Sequence, residues 1–100
     1  MKIDKFQIGG SRVFVIAEIG NNHNGDYDRA KLMIDKAIEM KVDCVKFQMR
    51  NLEHVYRSKS IDKTGDDLGT EYIIDLLEDF ELSIEEHREL FNYCKKRGIL

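Results

Sequence analysis

Two short apolar runs separated by one amphipathic helical pattern constrain this chain more than any other feature. Val13-Phe14-Val15-Ile16-Ala17 is continuously apolar, as expected of a parallel strand covered on both faces. Asp26 is placed as the N-cap of a helix over about residues 27 to 40. Ala30, Met33, Ile34, Ala37 and Ile38 recur at i, i+3, i+4, i+7 and i+8, which makes one buried helical stripe. A second strand, Asp43-Cys44-Val45-Lys46-Phe47-Gln48, follows. Strand, helix and strand in so short a span form a βαβ unit, whose crossover is right-handed.

The flanks extend this pattern. Lys2 to Ile8 alternates weakly before Gly9-Gly10, which predicts a β-hairpin or a short lead-in strand. From Arg50 to Gly69 the chain is polar and aperiodic, a length expected of a functional loop or lid. Tyr72, Ile73, Leu76, Leu77 and Phe80 predict a short amphipathic helix. Ser83-Ile84-Glu85-Glu86 is a capping box that starts another. The second of these has Ile84, His87, Leu90, Phe91 and Cys94 as its expected buried stripe. Lys95-Lys96-Arg97-Gly98 closes it with cations and a C′ glycine. Ile99-Leu100 then reads as the start of a third strand. So few parallel strands leave an open sheet edge. Residues 1–100 are therefore expected to be the amino-terminal part of a larger α/β domain.

Composition excludes several classes of function. Hydrophobic residues make up 42% of the chain and charged residues 35%, the balance of a soluble globular protein. No apolar run approaches the roughly 20 residues of a spanning helix, so no membrane partner is expected. Sixteen basic residues are scattered among 19 acidic ones, for a net charge of -3, so no nucleic-acid partner is expected either. Cys44 and Cys94 form no CxxC pair and read as small buried hydrophobes in a reducing cytoplasm.

The chemistry-bearing residues fall at the strand ends. Side chains alternate along a strand, so Lys46 and Gln48 share one face while Val45 and Phe47 share the other. Glu18 is in phase with Phe14 and Ile16. In a closed parallel barrel these polar groups would face the mouth, at the carboxyl ends of the strands where such barrels act. Lys46 is suited to a phosphate or carboxylate and Gln48 to a polyol or amide. Glu18 is suited to act as a base or to stabilise developing positive charge. An inert Glu18–Lys46 ion pair fits the same spacing. Asn21-Asn22-His23-Asn24-Gly25 is turn chemistry, although His23 is also suited to donate to a substrate oxygen or to hold Glu18. His23, His54 and His87 lie on three different elements without metal-ligand spacing.

With these residues in view, Ile16-Ala17-Glu18-Ile19-Gly20, Asn22-His23-Asn24-Gly25 and Val45-Lys46-Phe47-Gln48 resemble the N-acylneuraminate synthase family. That family comprises the sialic acid synthases and their legionaminate and pseudaminate relatives. The resemblance spans essentially the whole chain, including the helix capped at Ser83 and the approach Arg97-Gly98-Ile99. It implies the first βα units of a TIM (β/α)8 barrel, preceded by a short hairpin and incomplete in this chain. The implied reaction condenses phosphoenolpyruvate with an open-chain N-acylhexosamine, such as N-acetylmannosamine, to give a nine-carbon 2-keto sugar acid and phosphate. By motif, Lys46 would bind phosphoenolpyruvate and Gln48 the sugar, with Asn22 and His23 as further substrate contacts. Glu18 would be the catalytic group beside the reacting carbons.

The resemblance also implies a divalent metal, Mn2+ or Mg2+, whose ligands lie in later strands and not in this chain. It implies a cytoplasmic homodimer, and a carboxyl-terminal antifreeze-like domain that is absent here. Members often carry a small polar residue after Lys-Phe-Gln, where Met49-Arg50 stands here. The loop position from which some members reach the sugar falls near Gly65-Asp66-Asp67. The isolated 100 residues are expected to be inactive. Two other readings fit the residues: another phosphoenolpyruvate–aldose condensing synthase, and a non-catalytic half-barrel that binds a partner.

Overall fold

The computed structural model of the protein describes residues 1–51 and 75–100. Its elements are β1 (Lys2–Ile3), β2 (Phe6–Gln7), β3 (Ile16–Gly20), α1 (Tyr27–Glu39), β4 (Cys44–Phe47) and α2 (Ile84–Arg97). Most of the expected polar loop lies outside the described residues, with Gly65-Asp66-Asp67 and His54. So do Tyr72 and Ile73 of the helix expected before Ser83, although residues 75–79 are helical.

β1 and β2 pair antiparallel as the expected hairpin, and β3 pairs with β4 in parallel with α1 between them. The molecule is thus a mixed α/β structure built on one βαβ unit. α1 starts where Asp26 accepts a hydrogen bond from the Arg29 amide at 3.0 Å. Its stripe is buried as periodicity predicts, with Ala30, Ile34 and Ala37 inside. α2 starts at the reciprocal Ser83–Glu86 capping box, a cap worth about 1 kcal/mol. It ends at Gly98, whose φ of 79° is the left-handed value glycine adopts freely.

The core lies on one face of the β3–β4 pair, where Ile19, Ala30, Ile34, Leu82, Leu90, Cys94 and Ile99 pack together. Val45 and Phe47 contribute from β4. Each large core side chain contributes roughly 2 kcal/mol by leaving water. Burial raises both thiol pKa values, at Cys44 and at Cys94, which suits their structural reading. Tyr93 of α2 donates to Asp35 of α1, and Arg97 donates to the same carboxylate oxygen at 2.8 Å. This polar clasp fixes the two helices side by side.

Two expectations are corrected. The strand expected from Val13 begins only at Ile16, and among the described residues it is not covered on both faces. Val15 spends its amide on Asp43 Oδ2 at 2.8 Å, and Arg12 pairs with the same carboxylate, so the ladder cannot extend upstream. Ile16 is 49% exposed, and among the described residues its face of the sheet carries no packed layer.

The second correction concerns the α2 stripe. Leu90 and Cys94 are buried, but Ile84 and Phe91 are 61% and 64% exposed. They border an open apolar groove of about 460 Å³ beside Val45, Met49 and Leu100. Periodicity identified the apolar side of α2 correctly, but only part of that side meets a neighbour among the described residues. Leu100 accepts a hydrogen bond from the Val45 amide at 2.8 Å, on the edge of β4 away from β3. That is the pairing with which a further parallel strand would begin.

Candidate active site

β3 and β4 align Glu18 directly opposite Lys46. Lys46 Nζ lies 2.8 Å from Glu18 Oε2, on the sheet face opposite the core, with the two side chains 60% and 45% exposed. An ion pair this open to water contributes about 0.5 kcal/mol to folding. The fold therefore rests on the core beneath, and the pair is free to meet a ligand.

Just past this pair the ladder is irregular: Gly20, not Ile19, stands opposite Phe47. Gly20 has φ +57°, and a methyl group placed on it would lie 3.4 Å from Glu18 Oε1 and 3.7 Å from Gln48 Nε2. The bare glycine thus lets the carboxylate and the amide gather over the backbone. Gln48 Oε1 accepts from Arg50 Nη2 at 2.6 Å. Glu18, Lys46, Gln48 and Arg50 form one polar cluster at the carboxyl ends of two parallel strands. It offers two cations, one carboxylate and one amide to a polar, anionic ligand.

The structure brings Glu18, Lys46 and Gln48 together and does not bring His23 into that group. Successive turns carry the chain from β3 to α1: Asn22 to Ile19, Asn24 to Asn21 and Asp26 to His23, each 3.0 Å from amide to carbonyl. Asn22 is exposed, with its side-chain amide donating to the Ile19 carbonyl at 2.8 Å. His23 is wholly buried. Its ring centroid lies 6.0 Å from that of Phe47, on the side of the sheet opposite Lys46. The Gly25 amide donates to its Nδ1 at 3.0 Å, which places the proton of the neutral ring on Nε2. Among the described residues, Nε2 has no partner at full hydrogen-bond geometry.

Burial lowers the His23 pKa, His87 lowers it further, and Glu81, the Gly20 carbonyl and Asp26 oppose. The folded state therefore holds the neutral ring while the unfolded chain protonates near pH 6.5. Its contribution to stability is full above about pH 6.5 and declines as pH falls toward the lowered folded value. Urea unfolding at stepped pH is expected to show this decline in the wild type and a flatter profile in His23→Gln.

Gly20 and Arg50 carry no site role in the sequence expectations. Positions 46, 48 and 50 share one alternation phase, which is the signal for Arg50, but composition starts the polar loop there. Gly20 carried no signal beyond the glycine itself. Among the described residues, no group of three or more His, Cys, Asp or Glu side chains is placed to hold a metal ion. No helix among them is long and apolar enough to cross a membrane.

Comparison with known proteins sets this cluster in context. The chain is 38% identical over 95 residues to human N-acetylneuraminate-9-phosphate synthase, covering 92% of the chain and 26% of that protein. It is 36% identical to the spore coat polysaccharide biosynthesis protein SpsE of Bacillus subtilis, over 88% of the chain and 24% of the relative. It is 32% identical to N,N'-diacetyllegionaminic acid synthase of Campylobacter jejuni, over 88% of the chain and 27% of the relative. The chain thus spans about a quarter of the length of these relatives. No solved structure matches. The NeuB family model matches residues 33–100, a stretch that contains Lys46, Gln48, Arg50 and all of α2, and with it the chain belongs to the NeuB family.

Proposed function

We propose that this chain forms the first wall of the active site of a sugar-acid synthase. That enzyme joins phosphoenolpyruvate to the open-chain aldehyde of an N-acylhexosamine, with N-acetylmannosamine as the model acceptor. The products are a nine-carbon 2-keto sugar acid and phosphate. The observation that carries this reading is the 2.8 Å Lys46–Glu18 pair with Gln48 beside it at two parallel strand ends. The names of the relatives supply the class of product.

In this reading Lys46 holds an anionic group of phosphoenolpyruvate as a compact cation, and Gln48 hydrogen-bonds the sugar. The methylene carbon of phosphoenolpyruvate forms the new bond to the aldehyde carbon, the aldehyde oxygen gains a proton, and positive charge develops on the phosphate-bearing carbon. Water adds to the cationic carbon that results and loses a proton. The carbon–oxygen bond to phosphate then breaks, phosphate leaves with the proton of the new hydroxyl, and that carbon becomes the ketone. Glu18, one hydrogen bond from Lys46, is placed to stabilise the developing positive charge or to accept the proton from water.

The proposal extends to a TIM barrel of which β3 and β4 are the first two strands, and to a cytoplasmic homodimer. A divalent cation, manganese or magnesium, would be held by ligands that the described residues do not supply. An acceptor panel on the full-length protein tests the reading. N-acylhexosamines are expected to support turnover and aldose 4-phosphates to fail. The reverse preference would assign the site to a different aldose-condensing synthase, and ligand binding without turnover would make it a binding module.

A further inference from the structure

Arg50 and Gln48 fix each other's chemistry in a way that reaches the substrate. A guanidinium has donors only, so the group facing Arg50 Nη2 across 2.6 Å must be the amide oxygen of Gln48. The amide nitrogen is thereby turned the other way and lies over Gly20. Left to rotate, a glutamine amide offers either its oxygen or its nitrogen to a ligand. With Arg50 in place the oxygen is held toward the guanidinium, and the N–H groups are the ones the amide turns toward a ligand. Both side chains are half-buried, so the contact is less diluted by water than the open Lys46–Glu18 pair.

We propose that Arg50 is a positioning residue that locks Gln48 as a hydrogen-bond donor, so that the site selects an oxygen acceptor on the sugar, a carbonyl or hydroxyl oxygen. This rests on the synthase reading above and deepens it. Lys46, one residue pair away on the same face, remains the phosphoenolpyruvate cation. The lock therefore touches one substrate and not the other.

The test is steady-state kinetics of the full-length protein with phosphoenolpyruvate and N-acetylmannosamine varied separately. Arg50→Met is expected to raise KM for the sugar roughly 5- to 10-fold, the size of one lost hydrogen bond, with KM for phosphoenolpyruvate within about twofold. Arg50→Lys, whose ammonium is also donor-only, should recover most of the loss. The Arg50→Met/Gln48→Ala double variant should be no worse than Gln48→Ala alone, because Arg50 acts through the amide. An unchanged sugar KM, an equal rise in both KM values, or losses that multiply in the double variant would each overturn the lock.

Absence of turnover in the wild type would sink the synthase reading by itself. The lock is then judged from the Gln48 side-chain amide resonance in a ¹⁵N spectrum. A signal that moves in Arg50→Met but not in Arg12→Met supports it, and an unmoved signal overturns it.

Discussion

Lys46→Ala is expected to cut kcat/KM for phosphoenolpyruvate in the full-length protein by roughly 100- to 1,000-fold, the scale for removing one preorganised charge-stabilising group. The same change is expected to alter unfolding free energy by less than about 1 kcal/mol, because the Lys46–Glu18 pair is largely open to water. This split between activity and stability is the signature of a ligand-binding cation. An inert surface ion pair would leave activity and phosphoenolpyruvate affinity where they were. Isothermal titration with phosphoenolpyruvate, beside urea unfolding of the same samples, separates the two outcomes. Unchanged affinity would remove Lys46 from its assigned role.

The largest effect on stability is expected at Gly25. A Cβ there would stand 2.4 Å from the Asp79 carbonyl oxygen, and its φ of +75° is already unfavourable for any other residue. The clash is with backbone, so no side-chain rotation relieves it. Gly25→Ala is expected to cost about 3 kcal/mol, from left-handed strain together with overpacking. Gly20→Ala is the control. Its φ is also positive, but the nearest atoms are the ends of the Glu18 and Gln48 side chains, 3.4 Å and 3.7 Å away. It should cost about 1 kcal/mol while disturbing the cluster. Denaturant titration of both variants checks the order, and a Gly25→Ala loss below that of Gly20→Ala would contradict it.

These two sites show where sequence reading succeeds and where it stops. The α1 stripe, the Asp26 cap, the Ser83–Glu86 box and Gly98 were legible because each depends on residues within a turn or two of one another. The shared phase of Glu18 and Lys46 was legible for the same reason: alternation along a strand is a local rule. What failed depended on partners far along the chain. Nothing near Val15 announces that its amide is taken by Asp43. Nothing within α2 tells Leu90, which is covered, from Phe91, which is not. His23 could be read as a turn residue, but its burial against Phe47 requires the βαβ unit to be assembled first. Composition puts Arg50 in the loop, and β4 ends at Phe47, yet the Arg50 side chain lies on the side of Gln48.

The central claim is that the strand-end cluster belongs to a site that couples two substrates. The most direct test is product stoichiometry in the full-length protein, supplied with phosphoenolpyruvate, N-acetylmannosamine and manganese or magnesium. The account predicts one phosphate released for each nine-carbon 2-keto sugar acid formed, and no release when the sugar is omitted. Phosphate release that ignores the sugar, or no keto acid with both substrates bound, would contradict it.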